Sequence, residues 1–332
     1  MTLFRRLAWT ATALTLIVVV VGAWVRLTDA GLGCPDWPGC YGMATWPQAA
    51  EHVDRANAEW GHLRPVESGK AFREMFHRYI AGLLGLVILA LAILAWRNRH
   101  DPEQPVALPT ILLGLVVFQA ALGMWTVTML LKPAIVTAHL VGGLATFSLL
   151  LWLSLRCSRR PHPPSLPARL QRWPIVVAGL VLIVQILLGG WVSTNYAALA
   201  CTDFPTCQGQ WWPETDFAEG FRVWRGVGVD YEGGILDQSA RAAIHMAHRI
   251  WALVVIAVFA WLFMRLARAE DLVRPAIATG ALLASQIVIG IVNVVGGLPL
   301  ANAVAHNGVA ALLLGAMIVL LDRSTLRPAE RL

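Results

Sequence analysis

The sequence predicts an all-α polytopic membrane protein whose eight transmembrane helices form two tandem, pseudo-twofold-related four-helix bundles. Three observations predict it. First, 57% of the 332 residues are hydrophobic and only 14% are charged, against roughly 25% charged in an ordinary globular chain. Mean hydropathy is +0.62. Second, eight stretches reach the ~20 apolar residues that a bilayer-spanning helix needs. Third, the two halves of the chain match one another at a nearly constant offset. This composition excludes a disordered chain, a nucleic-acid-binding domain and most cytosolic enzymes.

The predicted spans are 7–27, 77–96, 108–130, 135–156, 173–193, 244–265, 274–297 and 301–321. The first follows Arg5-Arg6 as a signal peptide would, but no small-residue cleavage site precedes its Trp24-Val25-Arg26 exit, so it reads as a span. The net charge of +6 and pI of 9.4 would suit nucleic acid until the basic residues are located. With the N-terminus inside, the cytoplasmic segments hold fifteen Lys/Arg against six Asp/Glu, leaving eleven against fourteen outside. That asymmetry is the positive-inside pattern. It places both termini in the cytoplasm, puts the long polar segments 28–73 and 194–243 on the outer side of a bacterial inner membrane, and leaves no role for nucleic acid.

A shift of 167 residues aligns the halves. Gly22-Ala23-Trp24-Val25 falls on Gly189-Gly190-Trp191-Val192, Cys34, Asp36, Pro38 and Cys40 on Cys201, Asp203, Pro205 and Cys207, Gln119 and Gly123 on Gln286 and Gly290, and His139 on His306. In the second helix the shift is 171, setting Glu74-Met75-Phe76-His77-Arg78 against His245-Met246-Ala247-His248-Arg249. Shared apolar composition does not align cysteines, histidines and tryptophan at one offset. The expected units are residues 1–156 and 173–332, joined by a Pro/Arg-rich cytoplasmic linker, 157–172. Four helices per unit give both halves the same orientation, related by an axis along the membrane normal.

His77, His139, His248 and His306 occupy matched places in apolar helices, about 5–10 Å below the outer surface at 1.5 Å per residue. Such a histidine is often a hydrogen-bonded core residue, but an intramembrane ionisable group is also a functional candidate by default. Each half offers two imidazoles on different helices at similar depth. Zinc would want further ligands and a di-iron site would want carboxylates. Two opposed imidazoles with small residues nearby (Gly82, Gly85, Gly142, Gly143, Gly308) suit an axially held macrocycle, a bis-histidine heme in each half. Arg78 and Arg249 follow two of these histidines and suit either heme propionates or interfacial snorkelling. Glu74 lies one turn before His77, whereas its counterpart is His245. A carboxylate beside one site equips that half for proton chemistry.

The pairs Cys34/Cys40 and Cys201/Cys207 are spaced too widely for a Cys-x-x-Cys knuckle. On an oxidising outer side they fit disulfides, as structural staples or as a thiol–disulfide step linked to turnover. The fifth cysteine, Cys157, falls on the cytoplasmic side.

Taken together, these residues resemble the heme A synthase family over nearly the whole chain. The resemblance rests on the eight helices in tandem halves, one histidine on each even-numbered helix, Glu74-x-x-His77-Arg78, His248-Arg249 and the paired loop cysteines. It implies conversion of heme O to heme A for cytochrome oxidase, by oxidation of a porphyrin methyl to a formyl group. It further implies a resident heme b on His248 and His306, substrate heme between His77 and His139, and Glu74 as a catalytic carboxylate. The expected partners are heme O synthase, cytochrome oxidase assembly factors and an electron acceptor that the sequence does not name. The residues alone also accommodate a non-catalytic heme-handling or export protein, or a di-heme cytochrome linked to quinol.

Overall fold

The computed structural model describes residues 2–158 and 163–326. Part of the expected linker, residues 159–162, lies outside the described residues, as do Arg327, Glu330 and Arg331, which contribute to the charge asymmetry.

Eight helices are long and apolar enough to cross a membrane: α1 (Thr2–Leu27), α3 (Ser68–Arg97), α4 (Ala107–Thr128), α5 (Pro133–Arg156), α7 (Arg172–Thr194), α9 (Gln238–Leu266), α10 (Glu270–Val295) and α11 (Leu300–Arg323). Three short helices join them: α2 (Ala50–Trp60), α6 (Leu166–Leu170) and α8 (Phe217–Gly220). Among the described residues there is no strand, only two isolated bridges. Pro133 opens α5, where its missing N–H costs nothing. Ser165 and Asp216 cap α6 and α8 by accepting from the N–H of Ala168 and Glu219, donors that the first helical turn leaves free.

The large apolar residues divide between two destinations. Phe4, Leu84, Ile88, Leu112, Leu150 and Leu153 pack α1, α3, α4 and α5 together. Ile175, Leu182, Phe259, Leu262, Leu313 and Met317 do the same for α7, α9 and α11, and Leu144 of α5 joins them. Small residues bring the two groups close: a Cβ on Gly190 would stand 2.9 Å from Leu140, and one on Gly315 would stand 3.2 Å from Phe147. Leu86, Val117, Leu253 and Ile277 instead project outward and are more than half exposed. So broad an apolar exterior is suited to lipid, in which helices satisfy their own backbone groups.

Both long loops gather at one end of the bundle. Arg64 reaches across to Asp230 (2.9 Å) and to Glu232. The N–H of Tyr231 donates to the Leu130 carbonyl at 3.0 Å. Lys132, almost fully buried, donates to the Arg225 carbonyl at 2.7 Å and lies over the Trp224 ring. Backbone conformations recur at positions 167 apart: φ is +46° and +52° at Asp29 and Tyr196, and +58° and +62° at Leu131 and Leu298.

Candidate functional site: four imidazoles beneath two disulfide-closed loops

Each cysteine pair closes a miniature hairpin. Cys40 and Met43 exchange two backbone hydrogen bonds, as do Cys207 and Gln210. The residues between them, Tyr41-Gly42 and Gln208-Gly209, all have φ between +52° and +73°, the left-handed pair of a type I′ turn in which glycine is strain-free. An aspartate binds each turn from below. Asp36 accepts from the N–H of Tyr41 and Gly42 at 2.6 and 2.9 Å, and Asp203 from those of Gln208 and Gly209 at 2.6 and 3.0 Å. The Thr206 hydroxyl and these backbone donors hold the Asp203 carboxyl below the usual carboxylate range. With this geometry in place, Cys34–Cys40 and Cys201–Cys207 are disulfides.

The loops are fastened to the helices that carry histidine. Arg78 donates to the carbonyls of Asp36, Pro38 and Gly39. Arg249 donates to those of Asp203 and Thr206, each at 2.8 Å. Glu74 is buried, 5% exposed, and both its oxygens are engaged: Oε2 accepts from the Cys34 N–H at 2.8 Å and Oε1 pairs with Arg78. At the matched place in α9, His245 is equally buried and bonds the Ala197 carbonyl through Nδ1 at 2.9 Å. The expected arginine–propionate contacts thus compete with an observed structural task.

All four candidate histidines lie over glycines of a neighbouring helix. An added Cβ would meet the His77 ring at 3.0 Å from Gly22, the His139 ring at 3.5 Å from Gly123, the His248 ring at 3.1 Å from Gly189 and the His306 ring at 3.1 Å from Gly290. His77 and His139 are within electrostatic reach of each other, and so are His248 and His306. Each histidine is half-buried among packed helices. His77 lies about 14 Å along α3 and His139 about 9 Å along α5. Helix α3 begins at Ser68, well above the apolar stretch from which the sequence reading started that span. Helix α9 begins early in the same way, at Gln238.

This donor set fits a porphyrin iron, which takes four bonds from its macrocycle and needs only two from the protein. The described residues contain no group of three or more His, Cys, Asp and Glu able to hold a bare metal ion. Nδ1 of His139 and of His306 is buried without a hydrogen-bond partner, a costly state for a core histidine.

The glycines against the imidazoles are Gly22, Gly123, Gly189 and Gly290, which the sequence reading met only as repeat matches; Gly142 and Gly143 face Gln119, Gly308 faces Val20, and nothing lies within 4 Å of a Cβ at Gly82 or Gly85. Glutamines also reach the histidines. Gln185 Nε2 lies 3.2 Å from His248 Nδ1, Gln286 Nε2 lies 3.2 Å from His306 Nε2, and Gln119 donates to the His139 carbonyl at 2.9 Å. The matching of Gln119 with Gln286 was a visible signal for two of them; Gln185 has valine at its matched position and gave none.

Fold and site together define a polytopic helical membrane protein built around two pairs of intramembrane imidazoles beneath disulfide-closed loops. A family model described as cytochrome oxidase assembly protein, COX15-CtaA, matches residues 5–318, and the chain belongs to that family. Its relatives include the heme A synthase of Shewanella oneidensis, 44% identical over 92% of each chain. The heme A synthase of Rhizorhabdus wittichii is 32% identical over 92% of this chain and 89% of its own. That of Symbiobacterium thermophilum is 28% identical over 92% and 90%.

Proposed function

We propose that this chain is a heme A synthase, an oxidoreductase that converts a methyl substituent of heme O to the formyl group of heme A. The observation that carries the reading is the seating of four imidazoles over glycines, in two pairs, in a chain of this family. The proposed organisation is two four-helix halves, residues 1–156 and 173–332, related by a pseudo-twofold axis and joined through 157–172. In the C-terminal half His248 and His306 would hold a resident heme b. In the N-terminal half His77 and His139 bind the substrate heme O. Both termini lie in the cytoplasm and the disulfide loops on the outer side, consistent with the basic charge of the opposite segments.

Oxidation proceeds through an alcohol and a geminal diol, which loses water to leave the formyl group. Taking its oxygen from water, the net change releases four protons and four electrons. The four electrons would leave one at a time to an acceptor outside the chain, and a heme b held by His248 and His306 would supply the one-electron relay for them. Glu74, one turn before His77 on α3, is the carboxylate placed to take protons or to orient the attacking water. Its bonds to Cys34 and Arg78 favour a second role for it, anchoring the first disulfide loop over the site. Arg78 and Arg249 hold the loops through some of their N–H groups and offer the rest to propionates. The substrate comes from heme O synthase, and the product goes to cytochrome oxidase assembly.

The test is co-expression with a heme O synthase, followed by chromatography of the extracted hemes. Heme A in the extract supports the proposal. Heme O left unconverted points to a heme-handling protein, and heme b alone points to a di-heme cytochrome.

A further inference from the structure

The second outer loop crosses from its own half to the other. Residues 222–234 lie between α8 and α9, in the C-terminal half, yet they reach onto the N-terminal one. Tyr231 is 2% exposed and packs with Leu32 of the first loop and with Val127 and Leu131 at the α4–α5 turn. Its N–H donates to the Leu130 carbonyl at 3.0 Å. Arg64 of the first loop holds the acids on either side of it, Asp230 and Glu232. Lys132, at the same turn, donates to the carbonyls of Arg225 at 2.7 Å and Gly226 at 3.3 Å, and Arg225 is tied back to Glu219 of α8.

The repeat shows that this cover is one-sided. The offset of 167 sets Leu131 and Lys132 on Leu298 and Pro299, and both leucines have the same left-handed backbone. The α10–α11 turn nevertheless has no lysine, and its Gly296, Gly297 and Pro299 are exposed. Among the described residues no hydrogen bond or ion pair joins the first loop to that turn. The covered turn stands seven residues before His139 and the open one seven before His306, about 10 Å along each helix.

We propose that Asp230-Tyr231-Glu232 is a latch with which the second loop closes the outer end of the substrate half, and that it opens to admit heme O and release heme A. The inference rests on the assignment of the substrate heme to His77 and His139. A half that loads and unloads needs a removable cover; a half that keeps its heme does not. Few bonds hold the latch, as in segments that open locally while the core stays folded. Gly233 and Gly234 follow it at φ +78° and +84°, a conformation open to glycine at no steric cost, and give it a hinge.

The test uses the full-length protein, co-expressed with heme O synthase and purified with its hemes, with excess apomyoglobin as the heme acceptor. Arg64→Gln removes both ion pairs, and Lys132→Met keeps the apolar stem of the buried lysine without its charge. Each should raise hydrogen exchange across 222–234 and speed the departure of heme O and heme A about tenfold or more, the effect of losing a hydrogen bond to a charged group. Heme b should leave at its wild-type rate. Arg55→Gln, which removes an exposed pair with Glu51, should change none of these. Faster exchange across 222–234 with unchanged departure of heme O and heme A, or equal acceleration of heme b, overturns the latch and spares the substrate-site assignment. Unchanged exchange in both variants overturns the latch as well. A wild-type protein that carries heme b alone overturns the substrate-site assignment and the latch together.

Discussion

The Cβ that residue 189 lacks would stand 3.1 Å from Cε1 of His248. The absence of a side chain there allows α7 to approach the ring, and a methyl group would require the imidazole to give by a few tenths of an ångström, at a cost of about 1–3 kcal/mol. Gly189→Ala should therefore reduce heme b content and disturb its low-spin spectrum. Gly82→Ala is the control, since nothing lies within 4 Å of that position. Equal heme b spectra from the two variants would show that the glycine step does not seat the ligand.

The two disulfides staple short loops, so each should stabilise its hairpin by about 2 kcal/mol through loss of freedom in the open chain. Peptide mass mapping should find Cys34 joined to Cys40 and Cys201 to Cys207. Replacing both Cys201 and Cys207 by serine should free the hairpin that Arg249 holds and increase its protease sensitivity. Free thiols at these positions in the purified protein would contradict the pairing.

The first loop should loosen in alkali. Burial pushes the Tyr41 hydroxyl up to about 12, with Arg64 pulling against the rise and Glu74, Glu67 and Asp36 adding to it. The hydroxyl donates to the Pro65 carbonyl at 3.2 Å. A raised value means that the folded state keeps this proton after the unfolded chain has lost it. The contribution is thus complete below pH ~10 and disappears as the pH rises through about 12. Absorbance titration at alkaline pH should show one late phenolate in the wild-type protein that is missing from Tyr41→Phe. A Tyr41 signal at the ordinary value would mean that the loop is open.

Much of this arrangement was legible in the chain. Hydropathy located all eight spans, because lipid-facing leucines such as Leu86 and Leu253 need the same apolar run as the core. It misplaced the starts of α3 and α9, because Lys70, Arg73 and Arg241 break the run without breaking the helix. Helix α2 is polar, with Glu51 paired to Arg55, and leaves no apolar trace. The bonds from Arg64 to Asp230 and Glu232 depend on how the loops meet in space, and no local pattern encodes them. The histidines were found because they recur at matched places; Gln185 was missed because it does not.

Glu74 should be needed for turnover. Glu74→Gln keeps its size and can still accept from Cys34, but it removes the charge facing Arg78. The variant should accumulate, retain heme b, and yield heme O or a hydroxylated intermediate with little heme A. Wild-type heme A output would reduce Glu74 to a loop anchor. Loss of both heme b and the protein would assign it to folding.

The division of labour between the two histidine pairs is tested most directly by the low-spin heme b spectrum of two purified variants, His248→Ala and His77→Ala. The expected result is loss of the heme b signal in the first and its retention in the second, which should still fail to make heme A. Equal loss of heme b from both variants, or its survival in His248→Ala, would contradict the assignment of a resident heme to the C-terminal half.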